Sequence, residues 1–329
     1  MQRGVFICVA IGFFLAIGFD RSHRINPSLQ LISSVLAANS ATIDEANGQI
    51  IQIEGDVSLQ RHNGETFAPT TGTLLYPGDR LHSDPGGRAF VQCSDLSIDA
   101  VGGYFSGGNP CASVESFLAR RHQCDPDSYR CPHRGDESQT NDPTIPYVIN
   151  PRRTYLLNPR PQFRWNAVEN VESYTVCLHE NGIKLWCQDV SQVQIGYPDD
   201  ESSLKPGADY LLTVQAYRGA YSLSAPTVPG GVGFQLLHTQ QAEQIEEIRS
   251  HIESQDIDAT AKALAIVLLY TDNGLISEAI EILEALVARG VDTPPIYDRL
   301  TWLYSDYLAL ESPYSQNDLE NNIELSDAE

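Results

Sequence analysis

Leu204-Lys205-Pro206-Gly207-Ala208-Asp209-Tyr210-Leu211-Leu212-Thr213-Val214-Gln215-Ala216-Tyr217 is the stretch that decides the fold. Pro206-Gly207 marks a turn, and Leu212 to Tyr217 alternate apolar with polar or amphipathic residues, the period of a half-buried strand. Tyr210 then has the form of a tyrosine corner, in which a buried phenol bonds back to the backbone where a sheet turns. Upstream, Phe163-Arg164-Trp165 reads as a short strand with one large aromatic for a core. Tyr174-Thr175-Val176-Cys177-Leu178 and Lys184-Leu185-Trp186-Cys187 alternate in the same way, and Glu180-Asn181-Gly182-Ile183 between them is a hairpin turn. Cys177 and Cys187 flank that turn and are placed to face each other across the hairpin.

With Trp165 upstream of the corner, residues 147–237 resemble a fibronectin type III domain, which implies a β-sandwich. On that reading the aromatics are core. A sugar-binding platform would instead need Trp165 or Trp186 exposed on a shared face.

Toward the N-terminus, residues 44–118 are also strand-rich, with glycine punctuation. Gly48-Gln49-Ile50-Ile51-Gln52-Ile53-Glu54-Gly55-Asp56-Val57-Ser58-Leu59 supplies two strands around a turn, and Asn63-Gly64 is a hairpin signal. Gly55-Asp56-Val57, Gly72, Pro77-Gly78-Asp79-Arg80-Leu81 and Arg88-Ala89-Phe90-Val91 resemble the β-domain of the FecR family, named for a ferric citrate sensor. The resemblance implies a β-solenoid or small barrel-like module; the turn Pro77-Gly78-Asp79 itself needs the conformational freedom of glycine and uses Asp79 to cap the backbone that follows. Ser94-Asp95-Leu96-Ser97 stands where that family usually has an Asp-Gly turn. Residues 119–146 read as a locally basic, disulfide-pinned loop or linker, whose charge suits a solvated loop, a contact with the acidic helices or an anionic partner.

Beyond the sandwich, in residues 238–310, the period becomes helical. Ala242, Ile245, Ile248 and Ile252 share one face; residues 261–270 and 276–287 make two further helices, broken at Asp272-Asn273-Gly274, and Pro294-Pro295 opens a fourth running to about residue 310. Ile266 recurs as Leu300 and Tyr270 as Tyr304, both at the same offset, and with Gly274, Ala279 and Leu283 this resembles a tetratricopeptide repeat. The resemblance implies protein partners. So few repeats do not stand alone, so the helices are expected to pack on the preceding sandwich or on another subunit. Residues 311–329 are acidic and aperiodic and read as a disordered tail.

Residues 1–43 open with Met1-Gln2-Arg3 and an apolar run over 4–19, shorter than a comfortable membrane span, so they read as an export signal or an uncleaved anchor. The small residues of Ser34-Val35-Leu36-Ala37-Ala38 suit signal peptidase. Export makes disulfides the default for the cysteines. Cys8 lies inside the apolar run, which leaves six: Cys177 with Cys187, Cys124 with Cys131 around a short loop, and Cys93 left for Cys111. Cys124, Cys131, His122 and His133 compete as a zinc set, without CxxC spacing. The formal charge is −22, much of it in the C-terminal helices and tail. That excludes nucleic acid and anionic membranes as natural partners, and it suits either a solvated face or a basic peptide.

Catalytic motifs are missing from the sequence. Gly103-Tyr104-Phe105-Ser106-Gly107 does not have the spacing of a nucleophile elbow, and no HExxH, phosphate loop or dinucleotide fingerprint occurs. The sequence therefore implies a multidomain chain, mainly β then α: a FecR-like β module, a β-sandwich and C-terminal helical repeat hairpins. It is read as a non-enzymatic, periplasmic or extracellular interaction or scaffold protein without a cofactor, binding a protein or peptide. An envelope sensor and a cell-wall carbohydrate-binding accessory protein are the alternatives.

Overall fold

The computed structural model describes residues 45–102, 106–114, 142–219, 221–222 and 233–314. The fold is mainly β followed by α. Eight strands build the first module: β1 (Gly48–Glu54), β2 (Val57–Gln60), β3 (Thr66–Phe67), β4 (Leu74–Leu75), β5 (Arg80–Ser83), β6 (Arg88–Cys93), β7 (Ile98–Gly102) and β8 (Ser106–Gly108). They form two sheets, ordered β4-β1-β6-β7 and β3-β2-β5-β8. Every ladder is antiparallel, so the module is a pair of packed sheets and not a solenoid coil. Ile50, Leu75, Ala89 and Val91 of one sheet meet Leu59 and Leu81 of the other in its core.

Adjacent strand residues point to opposite faces, and this accounts for the unbroken apolar runs in β1 and β6. Ile50 enters the small core while Ile51 turns to the helices; Ala89 and Val91 turn inward while Phe90 turns to the helices. At the Pro77-Gly78-Asp79 turn, Gly78 takes φ +90°. The buried Asp79 carboxylate accepts from the Tyr76 backbone N–H (2.9 Å) and from Arg61 Nη1 (2.5 Å), so it caps the backbone before it and not, as expected, the one after. Where the FecR pattern has Asp-Gly, Leu96 adopts the left-handed conformation (φ 71°) while Asp95 Oδ1 accepts from the Ser97 backbone N–H.

The sandwich comprises β9 (Val148–Asn150), β10 (Thr154–Leu156), β11 (Gln162–Trp165), β12 (Ser173–Glu180), β13 (Ile183–Val190), β14 (Gln194–Gly196), β15 (Asp209–Arg218), β16 (Tyr221–Ser222) and β17 (Phe234–Leu236). One sheet runs β10-β17-β15-β12-β13 with β16 on β15; the other runs β14-β11-β9. Tyr174, Val176 and Leu178 from β12 and Tyr210, Leu212, Val214 and Ala216 from β15 fill the core with Phe163 and Trp165. The tyrosine corner is present: the Tyr210 hydroxyl accepts from the Lys205 backbone N–H at 2.7 Å.

Four helices close the chain: α1 (Thr239–Ser254), α2 (Ala259–Asp272), α3 (Ile276–Ala288) and α4 (Pro294–Trp302). Asp258 caps α2 by accepting from the Ala261 N–H at 2.7 Å, which starts that helix two residues ahead of the periodic run. Pro294-Pro295 opens α4 as expected, but its last stretch, Leu303–Leu308, winds as a π-helix and ends on Ala309 in the left-handed conformation. Residues 311–314, assigned by sequence to the tail, fold back onto α4: the Tyr314 carbonyl accepts from Thr301 Oγ1 (2.8 Å), and its ring meets Tyr297 edge-on.

Candidate functional site: a closed helical layer and an open sandwich flank

The repeat-signature residues Ile266, Tyr270, Ala279, Leu283, Leu300 and Tyr304 are all buried in one core with Ile51 and Phe90 of the first module and Leu237 at the end of the sandwich. The expectation that the helices pack on the sandwich is met, and they pack on the first module as well. Gln49 Nε2 and Gln92 Nε2 donate to the carbonyls of Leu264 (3.2 Å) and Ala265 (3.3 Å) in α2. Thr293 Oγ1, at the start of α4, donates to the Thr71 carbonyl at 2.9 Å.

The sandwich side is fixed still more closely. Leu275, the residue before α3, offers that helix no side-chain cap; Thr154 Oγ1 of β10 accepts from the N–H groups of Ile276 (2.9 Å) and Ser277 (3.3 Å) in its place. Gly274, the remaining signature residue, sits at φ +71°, where a Cβ would come within 3.0 Å of the Tyr155 ring, while its carbonyl accepts from the Tyr155 N–H (2.9 Å). Arg152, almost fully buried, donates from Nε to the Leu308 carbonyl (2.7 Å), and desolvation beside Arg153 pulls its pKa down to about 10.

Three carboxylates on α3 face the sandwich at helical spacing. Glu278 Oε1 accepts from the Leu157 N–H (2.8 Å), whereas Oε2 is shut from solvent without a hydrogen bond. Desolvation pushes its pKa up to about 7, and desolvation also raises Glu281, which accepts from Asn150 Nδ2 at 2.9 Å. Glu284 pairs with both Nη atoms of Arg164 (3.1 and 3.2 Å) and accepts from Tyr304 Oη (2.8 Å). Burial followed by Glu284 pushes the Tyr304 phenol well above its usual range. These contacts make the inner helical faces part of the core.

What stays open is the flank of the sandwich. β13 pairs only with β12 and is the longest strand left at a sheet edge among the described residues. Its Ile183 is 74% exposed and its Leu185 42%, beside exposed Lys184, Cys187 and Asp189. Trp186 alone turns fully inward, where its ring meets Phe163 and Tyr197. With Trp165 also buried, neither indole offers a sugar platform. Cys177 and Cys187 are directly opposed and bonded, with their Cα atoms 4.1 Å apart. That separation marks a non-hydrogen-bonded pair, whose N–H and C=O groups point away from the partner strand. The N–H and C=O of Cys187, and of Asp189 two residues on, therefore face the open edge. The sequence carried a signal for this flank in the apolar Ile183 and Leu185 set around a charge beside a hairpin turn, but alternation alone does not say which strands become edges.

The second disulfide, Cys93–Cys111, is buried in the first module. Cys8, Cys124, Cys131, His122 and His133 lie outside the described residues. Among the described residues no cluster of His, Cys, Asp or Glu is arranged to hold a metal, and no helix is long and apolar enough to cross a membrane.

Fold and site together define a disulfide-bonded β-then-α protein, and its disulfides point to an oxidising extracellular or periplasmic setting. No family model and no curated protein matches the chain. Among solved structures, it is similar to the crystal structure of chicken CNTN1 FN1–FN3 domains at 13% identity and a TM-score of 0.19, over 54% of this chain and 53% of that one. The chain thus spans about half the length of that structure.

Proposed function

We propose that the chain is a non-enzymatic extracytoplasmic interaction protein, a rigid frame that presents the β13 flank of its sandwich to a protein partner. The observation that carries this reading is the exposure of Ile183 and Leu185 on a long edge strand whose outer side has no partner among the described residues, in a molecule whose helices are already occupied by its own β modules. Natural proteins usually blunt such edges with charge, bulges or a covering element. β13 carries Lys184, Asp189 and one register shift near its turn, yet it keeps a regular stretch from Trp186 to Val190 with nothing described over it.

The motif readings belong to the same proposal: a FecR-like module at residues 44–118, a fibronectin type III-like sandwich at 147–237 and a tetratricopeptide-like helical segment at 238–310, behind an N-terminal export signal. A protein of this build works in the envelope as a scaffold, and its helices brace the two β modules in place of forming a peptide groove.

Cross-linked capture from envelope extract tests it, with the mature chain compared against Ile183→Lys/Leu185→Lys. A partner held by the wild type and lost from the variant supports the flank. A partner held equally by both moves recognition elsewhere, and capture of no protein by the wild type removes the interaction reading.

A further inference from the structure

The β13 edge also specifies what would sit on it. We infer that its occupant is an extended, net-basic peptide segment that joins the sheet as one more strand beside β13; this rests on the interaction reading above. The outward N–H and C=O groups of Cys187 and Asp189 recur every second residue, the spacing at which an added strand exchanges backbone hydrogen bonds. No hydrogen bond among the described residues uses them. The Cys177–Cys187 bond ties this strand to β12, so the edge is preorganised and little ordering remains for binding to oppose.

Charge selects between the two kinds of strand that could add. Asp189 on β13 and Asp200 beyond β14 are exposed carboxylates, while Arg160, which donates to the carbonyls of Pro198 and Glu201, also lies 3.9 Å from Asp199 and offsets that one charge. Among the described residues, β13 and β14 are the open edges of their two sheets on one flank, joined through Trp186 and Tyr197. A second copy of this chain would bring another −22 against that flank, whereas a segment of alternating Lys and aliphatic residues would be drawn to it and could cover Leu185.

The test uses the full mature chain, oxidised, and a short peptide of alternating Lys and Val as the probe. Its companions are a Glu-Val counterpart and two twins N-methylated on one or the other set of alternate backbone nitrogens. Strand addition requires that the Lys-Val peptide bind and that the Glu-Val peptide bind at least about tenfold more weakly. Only one methylated twin should lose binding, because only one set of N–H groups can face β13. In the protein, Asp189→Pro removes an outward N–H without touching the β12 ladder and should abolish binding, while the Cys177–Cys187 hairpin still forms. Failure of the Lys-Val probe, equal binding of both methylated twins, or preference for the Glu-Val peptide overturns the proposal. So does self-association of the free chain that Asp189→Pro abolishes, since the occupant would then be a second copy. If the probe fails while a captured protein still depends on Ile183 and Leu185, the occupant is wrong and the flank stands; if that dependence fails too, the interaction reading falls with it.

Discussion

Replacing Glu278 with Gln should change how stability depends on pH more than it changes stability itself. Oε1 of this carboxyl accepts from the Leu157 N–H, which a glutamine oxygen can do equally well, while Oε2 is sealed without a hydrogen bond. Burial raises its pKa from 4.5 to about 7. For an acid raised on folding, the sign is fixed: the native state holds its proton after the unfolded chain has released it. The contribution is complete below about pH 4.5 and is lost as pH rises through about 7. At roughly 1.4 kcal/mol per pH unit, that window amounts to about 3 kcal/mol. Neighbouring Glu281 acts in the same direction, its own pKa also raised by burial. Urea unfolding of wild type and Glu278→Gln, measured from pH 4.5 to 8, should give curves that diverge steadily, with the variant gaining on the wild type as pH rises. Parallel curves would refute the reasoning, because they would mean that the carboxyl is ionised or solvated in the folded protein across the whole range.

Three further outcomes are expected. Arg164→Met should destabilise the docking of α3 and α4 by about 2 kcal/mol, because it leaves the half-buried Glu284 without its bidentate partner; a double-mutant cycle with Glu284→Gln should recover much of that loss. Gly274→Ala should cost about 1–2 kcal/mol or more, since it puts a Cβ at φ +71° against the Tyr155 ring, and differential scanning calorimetry would register the lowered Tm. Tyr210→Phe should lose about 1 kcal/mol in denaturant titration with the fold intact, the worth of the corner hydrogen bond to Lys205.

How far the sequence can be read depends on the range of the interaction. Local patterns were legible. The alternation around Tyr210 implied a corner that is present, the turn at Asn181-Gly182 implied the Cys177–Cys187 bridge, and Cys93 pairs with Cys111 as the arithmetic suggested. The helical period placed all four helices, with ends shifted by capping residues such as Asp258 that lie outside the periodic run. What escaped is chemistry that acts across modules. Thr154 capping α3 and Arg164 pairing with Glu284 join positions 122 and 120 residues apart, and no pattern in either segment points to the other. Ile51 and Phe90 could be seen as apolar, but a strand with both faces buried needs a second layer, and its identity as the helices is a tertiary fact. The β13 flank stayed hidden for the same reason. Cys187 and Asp189 become an open edge only once the strand order is known.

Amide hydrogen exchange on the full chain, alone and with any protein captured through the β13 flank, tests the proposed recognition by β13 most directly. Exchange should slow at Cys187 and Asp189, the outward N–H groups of β13, with the amides of α1 to α4 unchanged. Protection spread over the helices with β13 unaffected would contradict it, placing recognition on the helical layer that the structure uses to brace the two β modules.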